Sequence, residues 1–113
     1  MKIVDGAITI DELRRMAADR FGDLVKAVVD VERELIAVDA ELHADLEALL
    51  LEDGSQQKNL WGINLYPEMP REEFIEFDSV INIRPSQGNR SRDVESEEIR
   101  EKIIAILEKR IER

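Results

Sequence analysis

Cysteine is absent from this 113-residue chain. Disulfides, thiolate metal sites and a cysteine nucleophile are therefore excluded together. Histidine occurs once, at His43, so a zinc site would have to take nearly all its remaining ligands from carboxylates, a donor set zinc seldom uses. Aromatic residues are few, three Phe, one Trp and one Tyr, and none lies beside the main cluster of positive charge. That argues against single-stranded nucleic acid, which needs stacking platforms next to the cations. Positive charge is itself in deficit: 16 Lys and Arg face 26 Asp and Glu, for a formal charge of −10. Broad, nonspecific nucleic-acid binding is not expected from such a chain, because it depends on displacing counterions with a positive surface. No apolar run approaches the ~20 residues of a membrane-spanning helix, and the opening MKIVDG lacks the apolar core of a secretion signal. The expected compartment is the cytoplasm, with no membrane partner.

What is present has an ordinary globular balance, 43% apolar and 37% charged, and residues 1–113 read as one globular domain. Thr9 to Phe21 predicts a first helix. Thr9 and Glu12 have capping-box spacing, Leu13, Met16, Ala17 and Phe21 form one apolar stripe, and Gly22 is a stop. Lys2 to Val4 reads as a short strand ahead of it. Val25, Ala27, Val29 and Val31 alternate with other residues, then Leu35 to Val38, Leu60 to Tyr66 and Ile75 to Ile83 follow as strands. Ser96 to Ile111 predicts a terminal helix on the stripe Ile99, Ile103, Ile106, Leu107 and Ile111. The expected class is α+β: an antiparallel meander of four or five strands with an N-terminal and a C-terminal helix.

Residues 41–52, ELHADLEALLLE, fit two periods. Leu42, Leu46, Leu49 and Leu50 suit a helix, while Leu42, Ala44 and Leu46 alternate at strand period. The Asp53-Gly54-Ser55 turn directly before a strong strand favours a hairpin, and with it a strand over Glu47 to Glu52. In that arrangement two helices would not cover both faces of a five-stranded sheet, so a homodimer is the expected source of the missing cover.

The most distinctive segment is Asn82 to Arg92, NIRPSQGNRSR. Arg84, Arg90 and Arg92 stand there with no acidic residue until Asp93, in a chain that is otherwise strongly negative. Guanidinium forks hold phosphate or carboxylate bidentately. Asn82, Gln87, Asn89 and Ser91 add directional donors, and Gly88 lets consecutive backbone N–H groups form an anion nest. A phosphate-bearing small molecule or a nucleic-acid strand end is the expected ligand. Asp93, Glu95, Glu97 and Glu98 follow closely and would repel an anion. The alternative is a surface loop whose arginines neutralise acidic neighbours. No Walker or dinucleotide fingerprint occurs.

His43, Asp45 and Glu47 form an H-x-D-x-E triplet. Strand geometry puts all three on one face, whereas a helix keeps only His43 with Glu47. His43 is thus a candidate general acid–base oriented by Glu47. Asp45 and Glu47 are candidate ligands for magnesium with a phosphate completing the shell, although no resident cofactor is expected. The alternative is a solvated polar face. In a meander, His43, Asp45, Glu47, Asn64, Asp78, Asn82 and Arg84 would share one side of the sheet.

ELHAD at Glu41 to Asp45, LLLEDGS at Leu49 to Ser55, LWGINLYP at Leu60 to Pro67 and INIRPSQGNRS at Ile81 to Ser91 resemble a family of short bacterial and archaeal proteins known as a domain of unknown function. The likeness runs from about Gly22 to Ile111. In that pattern glycines precede ELHAD, whereas Asp39 and Ala40 stand here, so no tight turn is expected at this point. The resemblance implies no activity, cofactor or catalytic residue. Three readings stay open: an anion-binding or interaction module working through the Arg84–Arg92 loop; an enzyme acting on a phosphorylated substrate or phosphodiester through His43 and the arginines; or a structural or regulatory partner with no small ligand.

Overall fold

The computed structural model describes residues 1–113. Strands β1 (Lys2–Val4), β3 (Val25–Asp30), β4 (Leu35–Val38), β5 (Leu60–Leu65) and β6 (Ile75–Glu76) form an antiparallel sheet in the order β1-β4-β3-β5-β6. A parallel pair, β2 (Ile8–Thr9) with β7 (Ile111–Glu112), ties the two ends of the chain together. Three helices complete the α+β fold: α1 (Ile10–Asp19), α2 (His43–Glu52) and α3 (Glu97–Arg110). The terminal helices lie close to the expected spans, but Phe21 falls beyond the end of α1 and is exposed, and Ile111 passes into β7. Thr9 caps α1 by accepting from Glu12 N at 3.1 Å, and Ser96 caps α3 by accepting from Ile99 N at 3.2 Å.

The sheet is covered on both faces. Val25, Ala27 and Val29 of β3, with Trp61, Ile63 and Leu65 of β5, join α1 and α3 in the larger cluster. Val28, Leu35, Ala37 and Leu60 point the other way and join Ala40, Leu46 and Leu50. This two-sided burial explains why β4 and β5 contain hardly any alternation: every residue in them is buried.

Several expectations are corrected. Glu47 to Glu52 is helix, not strand, because Leu46 and Leu50, one turn apart, bury a stripe on the sheet. Asp53-Gly54-Ser55 is not a hairpin turn but the stop of that helix: Gly54 N donates to Leu51 O and Ser55 N to Leu50 O, the reciprocal pair of a Schellman ending, with Gly54 at φ 108°. α2 supplies the cover that the expected partner was invoked to provide. The order of strands is accordingly not a simple meander, since α2 intervenes between β4 and β5 and returns β5 beside β3. Ile75 to Ile83 is strand only at Ile75–Glu76, then turns through a short 3-10 segment at Val80–Asn82 with Val80 exposed. Finally, the chain takes up a glycine-like conformation before ELHAD without a glycine. Asp39 adopts φ 74°, the left-handed region that glycine favours, and its carboxylate accepts from Arg20 Nε at 2.9 Å.

Candidate functional site

β5 pairs with β3 along its whole length but with β6 only at Asn64 and Leu65. Its remaining edge would leave backbone N–H and C=O groups unpaired beneath the following loop. Side chains of that loop take the place of a neighbouring strand. Gly62 N donates to Asn82 Oδ1 at 2.8 Å, and Asn82 Nδ2 donates to Gly62 O at 2.9 Å and to Arg92 O at 3.0 Å. Arg84 donates from its guanidinium to Gln57 O and Leu60 O and lies 4.2 Å from the centre of the Trp61 ring. Half-buried there, it has its pKa pushed down by desolvation, while its Nε is left without a partner. Asn89 is a second hub: Nδ2 donates to Asn82 O, Ser91 O and Asp93 O at 2.8, 3.1 and 2.7 Å, and Oδ1 accepts from Glu95 N at 2.9 Å.

Of the residues singled out for anion binding, Asn82, Arg84 and Asn89 thus hold the loop on the sheet, with only Arg84 Nε left unpartnered. Gln87 donates to Lys58 O at 3.1 Å, and Gly88, at φ 82°, closes the turn Pro85–Gln87. Arg90, Ser91 and Arg92 remain exposed. Arg92 Nε donates to Asp78 at 2.6 Å, which raises the arginine's pKa and holds the carboxyl below its usual range. The Arg90 side chain makes no ion pair. The N–H groups around Gly88 turn back on Arg84 O and Pro85 O, and the donors that converge lie two residues on, where Glu95 Oε2 accepts from Arg90 N at 2.9 Å, Ser91 N at 2.8 Å and Ser91 Oγ at 2.7 Å. These bonds, the Ser91 hydroxyl foremost, hold the Glu95 carboxyl below its usual range. Glu95 enters the sequence reading only as a charge repelling anions. The four-residue spacing from Ser91 is the signal that would have placed it here.

His43 opens α2 and is buried. Its Nε2 lies 2.8 Å from Ile63 O, so the neutral ring carries its proton on Nε2 and donates it to the carbonyl. Burial pushes its pKa below the ordinary 6.5, against the favourable Ile63 contact. Glu47 shares the helix face but reaches Gln57 Nε2 at 3.5 Å rather than the imidazole, and Asp45 is exposed one half-turn away. No three His, Asp or Glu side chains gather as a metal-binding group. Around the ring stand Lys26, Asn64 and Asp78. Asn64 Nδ2 donates to Glu76 at 2.8 Å and leaves its buried Oδ1 without a partner. Tyr66 donates to the same Glu76 oxygen at 2.9 Å, and desolvation with that carboxylate pushes the phenol up to about 12. The fold therefore brings His43, Asn64 and Asp78 together as the shared sheet face suggests, and separates Asp45 from them.

The family model described as a protein of unknown function (DUF5674) matches residues 2–110. No curated protein and no solved structure matches the chain. No helix is long and apolar enough to cross a membrane.

Proposed function

The chain belongs to the DUF5674 family of proteins of unknown function, and from that premise, which brings no activity with it, we propose a binding module for an anionic group. The ligand is phosphate or carboxylate, and the site is the Arg90–Ser91 turn. One observation carries the reading: two backbone N–H groups and a hydroxyl already converge on a single carboxylate oxygen, that of Glu95, at 2.7–2.9 Å. A nest that fits an internal carboxylate has the donors and spacing for an external oxyanion. Arg90 stands beside it with its guanidinium unpaired, and Arg92 is one residue on. Asn82, Arg84 and Asn89 then contribute rigidity rather than contact, since they fix the loop on β5.

Glu95 makes the module selective by competition: an incoming anion must displace it. A phosphate-bearing small molecule or strand end, with two negative charges, does so better than a simple carboxylate. Magnesium, where it takes part, would arrive with such a phosphate rather than reside on Asp45 and Glu47. The acid–base role for His43 has weaker support, because its Nε2 proton is held by Ile63 O and Glu47 does not orient the ring.

The test is an amide-resolved NMR titration with inorganic phosphate and phenyl phosphate, with and without magnesium. Saturable shifts confined to residues 89–95, lost in Arg90→Ala with the rest of the spectrum unchanged, are expected. No local shift at millimolar ligand overturns the reading and favours a protein partner instead.

A further inference from the structure

A cavity of about 530 Å³ opens between α3 and the segment around β6. Its floor and walls are Phe74, Ile75, Phe77, Ile104 and Leu107. Ile104 stands outside the apolar stripe that packs α3 on the sheet, and it is 38% exposed. As a cavity wall it supplies apolar contact to whatever enters. The size lies within the ~300–1,000 Å³ of small-molecule sites.

The rim gives the ligand's other end. Arg71, Arg113, Glu72 and Glu108 stand at the mouth. Arg71 pairs with Glu108 at 3.3 Å. The Arg113 guanidinium lies 4.5 Å over the Phe74 ring and makes no ion pair. With Arg71 held by Glu108, Arg113 is the rim cation left to meet an anionic head group, and Glu72 close by disfavours a second negative charge. We infer that this cavity is a binding site for a medium-chain carboxylate, its alkyl body against Phe74, Phe77, Ile104 and Leu107 and its head on Arg113. Arg71 is a second donor if the Glu108 pair opens. The site shares no residue with the Arg90–Ser91 nest, so either can fail without the other.

The experiment is an NMR titration of the native chain with octanoate, and in parallel with octanol as the neutral counterpart. Sub-millimolar, saturable binding of octanoate is expected, with shifts centred on Ile104, Leu107 and Phe74. The Arg71→Gln/Arg113→Gln double variant should weaken octanoate roughly threefold, the scale of an exposed charge pair, and leave octanol unchanged. Ile104→Glu, at a position exposed enough to tolerate the change, should abolish both while the thermal unfolding curve stays cooperative. Absence of saturable shifts at the cavity overturns the inference. So does equal binding of the two ligands that is indifferent to the arginines.

Discussion

Gly62 is the point at which the loop and the sheet touch most closely. A Cβ built there would sit 2.5 Å from Ser79 Cβ and 2.6 Å from Ser79 Oγ, well inside van der Waals contact. Ser79 cannot retreat freely, because its N–H donates to Arg92 O at 3.0 Å and its hydroxyl accepts from Ile81 N at 3.3 Å. In Gly62→Ala the loop must lift off β5. Overpacking of this kind costs about 1–3 kcal/mol. The two Asn82 bonds to Gly62, at 2.8 and 2.9 Å, then stretch or break at about 1 kcal/mol each. The sum is roughly 3–5 kcal/mol, a large part of the ~5–15 kcal/mol typical of a domain. Urea unfolding at equilibrium measures it. Asn82→Ala, which removes the same two bonds from the other side and the one to Arg92 O, should cost about 3 kcal/mol. The double variant should fall short of additivity by about 1 kcal/mol or more, since both changes release one contact. A Gly62→Ala variant within ~0.5 kcal/mol of native, or strict additivity, refutes the edge-capping account.

At Asp39, held at φ 74°, glycine should exceed alanine in stability by about 1 kcal/mol, the reverse of their usual order, because both lose the Arg20 pair and only alanine keeps the strain; equal unfolding midpoints would sink this. His43 is the single histidine of the chain. Its folded pKa lies below its unfolded value near 6.5, so the unfolded chain binds the proton first. Stability should be full above that value, fall as pH drops below it, and level off beneath the folded pKa. Chemical denaturation across that window should show the slope in the native chain and not in His43→Gln, and matching slopes in both would contradict it.

The elements legible in the sequence are those whose burial is one-sided or whose ends carry caps. α1 and α3 declare themselves through Thr9, Ser96 and a single apolar stripe, and the strands of the sheet through β-branched runs. α2 was hidden because its stop, Asp53-Gly54-Ser55, has the composition of a hairpin turn, and only the hydrogen bonds back to Leu50 and Leu51 tell the two apart. The alternation over Ile75 to Ile83 misleads for a different reason. Asn82 sits at a polar strand position yet is fully buried, performing for β5 with its side chain what a strand does with its backbone. The arginine-rich loop was visible as a loop of donors. Which donors face inward depends on the missing β6 pairing at Leu60 to Gly62, a property of the sheet and not of the loop. Glu95 was legible only as charge, since its use as the nest's occupant depends on the turn between it and Ser91.

The most direct test of the anion-nest account is the phosphate affinity of Glu95→Ala beside that of the native chain, read from the Arg90 and Ser91 amides. Removing the resident carboxylate should tighten phosphate binding severalfold, with amides outside residues 89–95 unmoved. Affinity that is unchanged or weaker in a variant with that native spectrum elsewhere would contradict the account, and would leave Glu95 as a strut of the loop and the turn as no site at all.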